Sequence, residues 1–174
     1  MQPALELAKP GDEELLALVG SATFLATYAH MLSAPDMLAH CTKQHAPAIY
    51  RGWLNDARTT CWLARAAPGG APVGYAVLAP ASVPVADPDP SDLELKRIYL
   101  LHPYQRLGFG RILVGAAASV ARDAGSRRVL LGVYSGNVAA LAFYERVGFV
   151  RAGERTFRVG ASDFFDYLLS LPLT

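Results

Sequence analysis

Net charge is almost absent from this chain of 174 residues: 16 Lys and Arg stand against 15 Asp and Glu, leaving +1. That balance excludes broad electrostatic capture of nucleic acid or of an anionic membrane, so any anion must be held by a local arrangement. Cysteine is equally scarce. The 2 cysteines, Cys41 and Cys61, build no disulfide framework and fit a reducing compartment, where thiols serve as small buried hydrophobes. No apolar run is both long and unbroken. Residues 66–86 carry no Asp, Glu, Lys or Arg, but Pro68, Gly69, Gly70, Pro72, Gly74, Pro80 and Pro84 would interrupt a membrane helix there. Met1-Gln2-Pro3-Ala4-Leu5-Glu6 lacks the basic-then-apolar pattern of a leader peptide, so the expected location is cytoplasmic.

What the chain does have is apolar bulk, 52% of residues, over a length that suits a single domain spanning 1–174. A domain of this size buries roughly 70% of the surface its unfolded chain exposes and needs no metal or disulfide to hold it. Ala4 to Ala8 reads as a short first strand. Pro10-Gly11-Asp12 then breaks the chain, with Asp12 placed to cap a helix carrying Leu15, Leu16, Leu18 and Val19 and extending through Phe24, Tyr28 and Leu32. Asp36 to Tyr50 is expected to be another helix, with Pro47 inside it. Thr60 to Ala64 and Pro72 to Leu78 form a hairpin around Pro68-Gly69-Gly70, and Ala79 to Asp92 is a Pro-rich surface loop. A strand over Leu93 to Leu101 precedes a helix over Gly108 to Ala124, with Ile112, Leu113, Ala116, Ala117 and Val120 on one face. Arg128 to Tyr134 is a buried strand, Asn137 to Val147 a helix ended by Gly148, and Arg155 to Val159 and Phe164 to Leu169 are closing strands. The succession gives an α+β plan.

The stretch Leu95 to Arg111 is a strand, a short turn and a helix whose first turn holds two glycines. A helix start leaves N–H groups unpartnered and slightly positive, and glycine lets a phosphate approach them. A dinucleotide fingerprint would place a third glycine at Leu113, and a P-loop would place Lys then Ser or Thr after its second glycine; Gly108-Phe109-Gly110-Arg111 is neither. Two turns further along the next helix from the capping-type Asn137 lies Tyr144, so both could address one ligand. Alternatively Asn137 only caps the helix and Tyr144 only fills core. His40-Cys41 and His45 sit close together, yet structural zinc calls for four ligands in paired spacings, so no metal is expected.

Gln105, Gly108 and Gly110 match the Gln/Arg-x-x-Gly-x-Gly/Ala signature, and Asn137 to Phe149 matches the Asn-x-x-Ala-x-x-Phe-Tyr-x-x-x-Gly-Phe segment, of the GCN5-related N-acetyltransferase (GNAT) superfamily, which this sequence therefore resembles. Leu93 to Leu100, Leu131 to Tyr134 and Phe157 to Gly160 look like the Pai-type polyamine acetyltransferases within it. The resemblance implies a mixed, mostly antiparallel sheet of about six to seven strands, with two parallel central strands splayed apart and helices on both faces. It implies acetyl-CoA as co-substrate, with the pantetheine arm along the backbone of Ile98 and Leu100. Amides from Gln105, Arg106, Leu107, Gly108, Phe109, Gly110 and Arg111 would surround the diphosphate, Asn137 would bond the pantetheine, and the Tyr144 hydroxyl would lie near the thioester sulfur. Glu94, on the strand beside the acyl group, is the expected base, acting through a water; as an alternative it is an exposed carboxylate paired with Lys96. A backbone N–H near Leu100 would stabilise the oxyanion.

Tyr28, His30 and Asp36 fall in the segment that covers the acceptor side in this superfamily. The expected acceptor is a primary amine of a small molecule, although long polyamines would call for a dense acidic cluster that the chain lacks. A peptide or protein amine, or an idle acyl-CoA-binding module, is the alternative. Homodimers are common in the superfamily, and Phe164 to Leu171 is either core strand or partner contact.

Overall fold

A computed structural model of the chain describes residues 4–160 and 162–173. Among these the elements run β1 (Ala4–Leu7), α1 (Glu13–Tyr28), α2 (Ala34–Gln44), α3 (Pro47–Leu54), β2 (Thr60–Arg65), β3 (Pro72–Pro80), β4 (Leu93–Leu100), a 3-10 turn (His102–Tyr104), α4 (Phe109–Asp123), β5 (Arg128–Tyr134), α5 (Val138–Arg146), β6 (Val150–Val159) and β7 (Ser162–Pro172). The strands are ordered β1-β2-β3-β4-β5-β7-β6 in one mixed sheet. The β1–β2, β5–β7 and β6–β7 ladders are antiparallel, while the central β4–β5 pair is parallel. No helix among the described residues is long and apolar enough to cross a membrane.

Two compact units make up the chain: one holds everything through Val77 together with Arg97–Leu113, the other Leu78–Lys96 and the chain from Val114 onward. In the first, α1 and α3 lay Leu16, Val19 and Tyr50 against Cys61, Leu63, Tyr75 and Val77, with Trp53 and Tyr99 packed alongside. Gly11, at φ +104°, turns the chain into α1. Asp12 holds the N-cap position, but its carboxylate accepts from Lys9 N outside the helix (3.0 Å), so the expected side-chain cap is not made. The acids Glu13 and Glu14 complement the helix dipole in its place.

The helix expected over Asp36 to Tyr50 is two helices. Pro47 has no N–H to bond back and would collide with the carbonyl four residues earlier, so α2 ends at Gln44 and α3 begins with the proline. Ala46 adopts the extended conformation that a following proline demands (ψ 141°). Ser33 caps α2 by accepting from Asp36 N at 3.2 Å.

In the second unit β7 lies between β5 and β6, which makes it core strand, and Leu168 packs on Leu130. The Pro-rich segment is less of a surface loop than expected: Ala79 and Pro80 complete β3, while Val83 is buried against Leu130 and Leu168. Strand β6 starts five residues earlier than the expected Arg155, bulging at Arg151/Gly153. The buried stripe of α4 is Leu113, Val114, Ala117, Ala118 and Ala121, so Ile112 is exposed rather than inward.

Candidate active site

Strand β5 is paired along its whole length with β7, from Arg128↔Pro172 to Tyr134↔Asp166, whereas its parallel ladder with β4 comprises Leu93↔Val129 and Glu94↔Leu130. An ion network fastens that paired end. Buried Asp92, just ahead of β4, accepts from Arg128 at 2.8 and 2.9 Å and from Arg127 at 3.3 Å, and both arginines also donate to Asp87 O at 2.6 Å. The Arg128 hydrogen bond holds the Asp87 carboxyl below its usual range.

Glu94 is 6% exposed, not the open carboxylate considered above. Its Oε2 accepts from Ser82 N (2.8 Å), Ser82 Oγ (3.1 Å) and Lys96 Nζ (2.9 Å), so Glu94 ties the segment after β3 to β4. Any proton acceptance by Glu94 falls to Oε1.

Beyond β4, Gln105 Nε2 donates to Leu100 O at 3.0 Å and braces the turn. Arg106 then takes φ +63° and Gly108 φ +89°. Glycine adopts this left-handed backbone freely, whereas a residue such as Arg106 is held there at an expense of roughly 1–2 kcal/mol. Arg111 N and Ile112 N bond back to Gly108 O at 3.1 and 3.2 Å, which makes Gly108 the start of α4. The amides ahead of Arg111 consequently have no carbonyl behind them inside the helix. Gln105, Arg106, Leu107, Gly108 and Arg111 are exposed, and Phe109 anchors the turn in the core. Exposed amides flanked by two guanidinium groups suit a phosphate ester.

Asn137 caps α5, its Oδ1 accepting from Ala140 N at 3.1 Å, which leaves the side-chain NH2 as the group able to meet a ligand. Two turns on, Tyr144 is 7% exposed and packs edge-on against Phe149. Within the first unit, Ile98 and Leu100 are half-buried on β4, Tyr28 packs on Phe24, His30 is exposed, and Asp36 accepts from Ser33 Oγ. His102 opens the exposed 3-10 turn.

One cluster in the first unit joins His40 and His45, weighed above only as metal ligands, to Tyr50, Tyr75 and Arg97, which the sequence did not single out. His45 Nδ1 lies 2.7 Å from Tyr50 OH, and Tyr50 OH donates to Tyr75 OH at 3.3 Å. The His40 ring stacks on Phe24, its centroid 5.7 Å from that of His45. Arg97 reaches toward this group with its guanidinium 5.9 Å from the centre of the Trp53 ring. Burial, reinforced by the Arg97 charge, pushes His45 down to about 3 and His40 to about 4; burial pushes Tyr50 up to about 12. Every ring in the cluster is therefore neutral near pH 7. The alternation of β4 held a signal: Arg97 sits between Leu95 and Tyr99, positions that read as inward.

The Acetyltransferase (GNAT) family model matches residues 26–149. An uncharacterized N-acetyltransferase of Mycobacterium tuberculosis is 32% identical over 158 residues, 91% of this chain and 96% of that protein. The PaiA N-acetyltransferase of Thermoplasma acidophilum, crystallised with coenzyme A, superposes with a TM-score of 0.76 at 19% identity, covering 99% of each chain. A Bacillus anthracis protein solved with acetyl coenzyme A gives a TM-score of 0.59 at 24% identity over 72% of this chain and 68% of its own.

Proposed function

The chain belongs to the GNAT family of acetyltransferases, and from that membership we propose that it moves the acetyl group of acetyl-CoA onto a primary amine of a small molecule by direct attack, both substrates being bound together. The observation that carries the proposal is the exposed glycine turn at Gly108, where α4 begins after β4 and the 3-10 turn. Amides from Gln105 through Arg111, with the charges of Arg106 and Arg111, take the diphosphate; Leu107 and Gly110 contribute backbone only, and Phe109 fixes the turn. The crystallised neighbours with coenzyme A and acetyl coenzyme A support this co-substrate. Both units contribute to what we read as a single N-acetyltransferase domain, since β3, β4 and α4 each continue from one into the other.

The pantetheine lies along the backbone at Ile98 and Leu100 and meets the Asn137 NH2. The amine nitrogen attacks the thioester carbonyl, whose growing negative charge a backbone N–H near Leu100 stabilises. As the C–S bond breaks, the thiolate takes a proton from the Tyr144 hydroxyl, and the amine's proton passes through water to Glu94 Oε1. Buried Cys61, its thiol pushed up to about 12 by burial, does not enter the chemistry. The balanced charge and the two free thiols support a cytoplasmic location, and exposed Leu18, Leu25 and Leu38 support a homodimer.

The test follows free-thiol release from acetyl-CoA across a panel of amines. Tyr144→Phe is expected to lower turnover about 10²-fold while CoA still raises the melting temperature. Glu94→Gln is expected to lose most activity at lower pH; an unchanged pH profile would leave Glu94 only as the anchor of Ser82 and Lys96. If CoA stabilises the protein and no amine releases thiol, the chain is an acyl-CoA-binding module instead.

A further inference from the structure

Five cationic side chains of the described residues are withdrawn from full exposure: Arg65, Lys96, Arg97, Arg128 and Arg155. Four of them meet carboxylates: Arg65 meets Glu6 and Asp12, Lys96 meets Glu94, Arg128 meets Asp92 and Asp87, and Arg155 meets Asp166. Arg97 is the exception, and its surroundings provide no substitute. The histidines and tyrosines near it are neutral, its guanidinium lies 5.9 Å from the centre of the Trp53 ring, and no carboxylate among the described residues pairs with it. A partly buried charge without a counter-charge is among the least favourable things a fold can hold.

A second observation falls in the same place. Among the described residues the buried side-chain nitrogens lacking a hydrogen-bond partner are Arg97 Nε, His40 Nε2 and His45 Nε2. His45 is 2% exposed, and its other ring nitrogen is already engaged by Tyr50. Buried polar groups are nearly always partnered, so three orphans in one cluster mark polar capacity that the chain itself does not use. The cluster is built from α1, α2, α3 and the inward edge of β4, and the family resemblance places Tyr28, His30 and Asp36, at the end of α1 and the start of α2, on the acceptor side.

We propose that Arg97 is the docking cation for a carboxylate on the acceptor, so that the amine acetylated is amino-acid-like rather than polycationic. This rests on the transferase reading above and narrows it. The guanidinium is planar and pairs a carboxylate through two parallel N–H donors, and its single positive charge is balanced by that one negative group. A polyamine would bring further positive charge to a cation that already lacks an anion. Trp53 lies beside the guanidinium, and the neutral histidines add hydrogen-bonding capacity without charge.

The test compares glycine, β-alanine, lysine and glutamate with their carboxamides and decarboxylated counterparts, plus spermidine and aminomethylphosphonate, by kcat/KM in the thiol-release assay. The expected preference for carboxylate over carboxamide is about 10- to 100-fold, the range of a charge-assisted pair, and lies mainly in KM. Arg97→Gln should bring that ratio to near unity, and Arg97→Lys should restore part of it. Because Arg97→Gln removes an unpaired charge, its melting temperature should not fall, whereas a merely structural arginine would give a lower one. Preference for spermidine or for the decarboxylated amines in the wild-type protein, or an Arg97→Gln ratio like the wild type's, overturns the proposal. A phosphonate favoured over every carboxylate keeps the cation and corrects the anion. Should no amine release thiol, the transferase reading fails by itself, and calorimetry of the same amino acids against CoA-loaded wild-type and Arg97→Gln protein decides the carboxylate site: Arg97-dependent binding supports it, and absence of binding ends it.

Discussion

In the second unit, Asp92 is met by Arg127 and Arg128, and buried Asp166 by Arg155, so each withdrawn charge has its opposite within the chain. In the first unit, around α1 to α3, the withdrawn Arg97 faces aromatic rings and two uncharged histidines, with nitrogens left over. The contrast separates a region that is electrostatically complete from one that is not. Completion fastens structure: the Asp92 network secures the end where β4 and β5 pair. Incompleteness reserves interaction energy for something that arrives later.

The largest effect should come from opening the complete region. Asp92→Ala takes from the partly buried Arg128 its buried partner, leaving it the exposed Asp87, and is expected to lower unfolding free energy by about 3–5 kcal/mol in urea titrations. A loss below about 1 kcal/mol would mean that the network is ornamental and the contrast false.

Acid should attack the incomplete region first. Unfolded, His45 titrates at its ordinary value of 6.5; folded, at about 3. Between those values the unfolded chain binds the extra proton, so the contribution of neutral His45 is intact above about pH 6.5 and shrinks as pH falls, by about 1.4 kcal/mol per pH unit. Asp87, held below its ordinary 3.8 by Arg128, keeps its stabilising charge through that window and loses it only at lower pH. As pH is lowered toward 5, hydrogen-exchange protection, corrected for the intrinsic rate, should therefore fall in α1 to α3 before it does in β5 and β7. A simultaneous fall would merge the two regions.

The smallest effect compares two glycines. At Gly74 an added Cβ would lie 2.6 Å from the main-chain oxygen of Tyr99, which cannot swing aside; at Gly132 it would meet the end of the Arg155 side chain at 2.7 Å, which can. Gly74→Ala is expected to lower stability by about 1–3 kcal/mol and Gly132→Ala by less than about 1 kcal/mol, read from thermal midpoints. Equal losses would show that Arg155 is as fixed as backbone.

Periodicity and glycine punctuation made the centre of the chain legible. Strand β5 has the bounds expected of it, and α4 and α5 lie within a residue of theirs. The failures have local causes. Pro47 divides a helix whose apolar spacing continues across it, and the first half of β6, with Arg151 and Glu154 on an edge strand, lacks the alternation that marks a half-buried one. Of the candidate site, the glycine turn was readable because its residue types are unusual, but the left-handed Arg106 was not, since nothing in an arginine announces its φ. The His45–Tyr50–Tyr75 line was illegible for another reason: packing of α3 assembles it from positions 25 and more residues apart in part, each of which reads singly as ordinary core.

Cys61 belongs to the first unit's core and Cys41 sits half-buried with its Sγ donating to Met37 Sδ, and burial raises both thiols above their ordinary range. At neutral pH both remain overwhelmingly protonated and slow toward disulfide reagents. A chromogenic disulfide added to a turnover mixture will thus report the liberated coenzyme against a quiet protein background, and the native chain can be assayed without first stripping its cysteines.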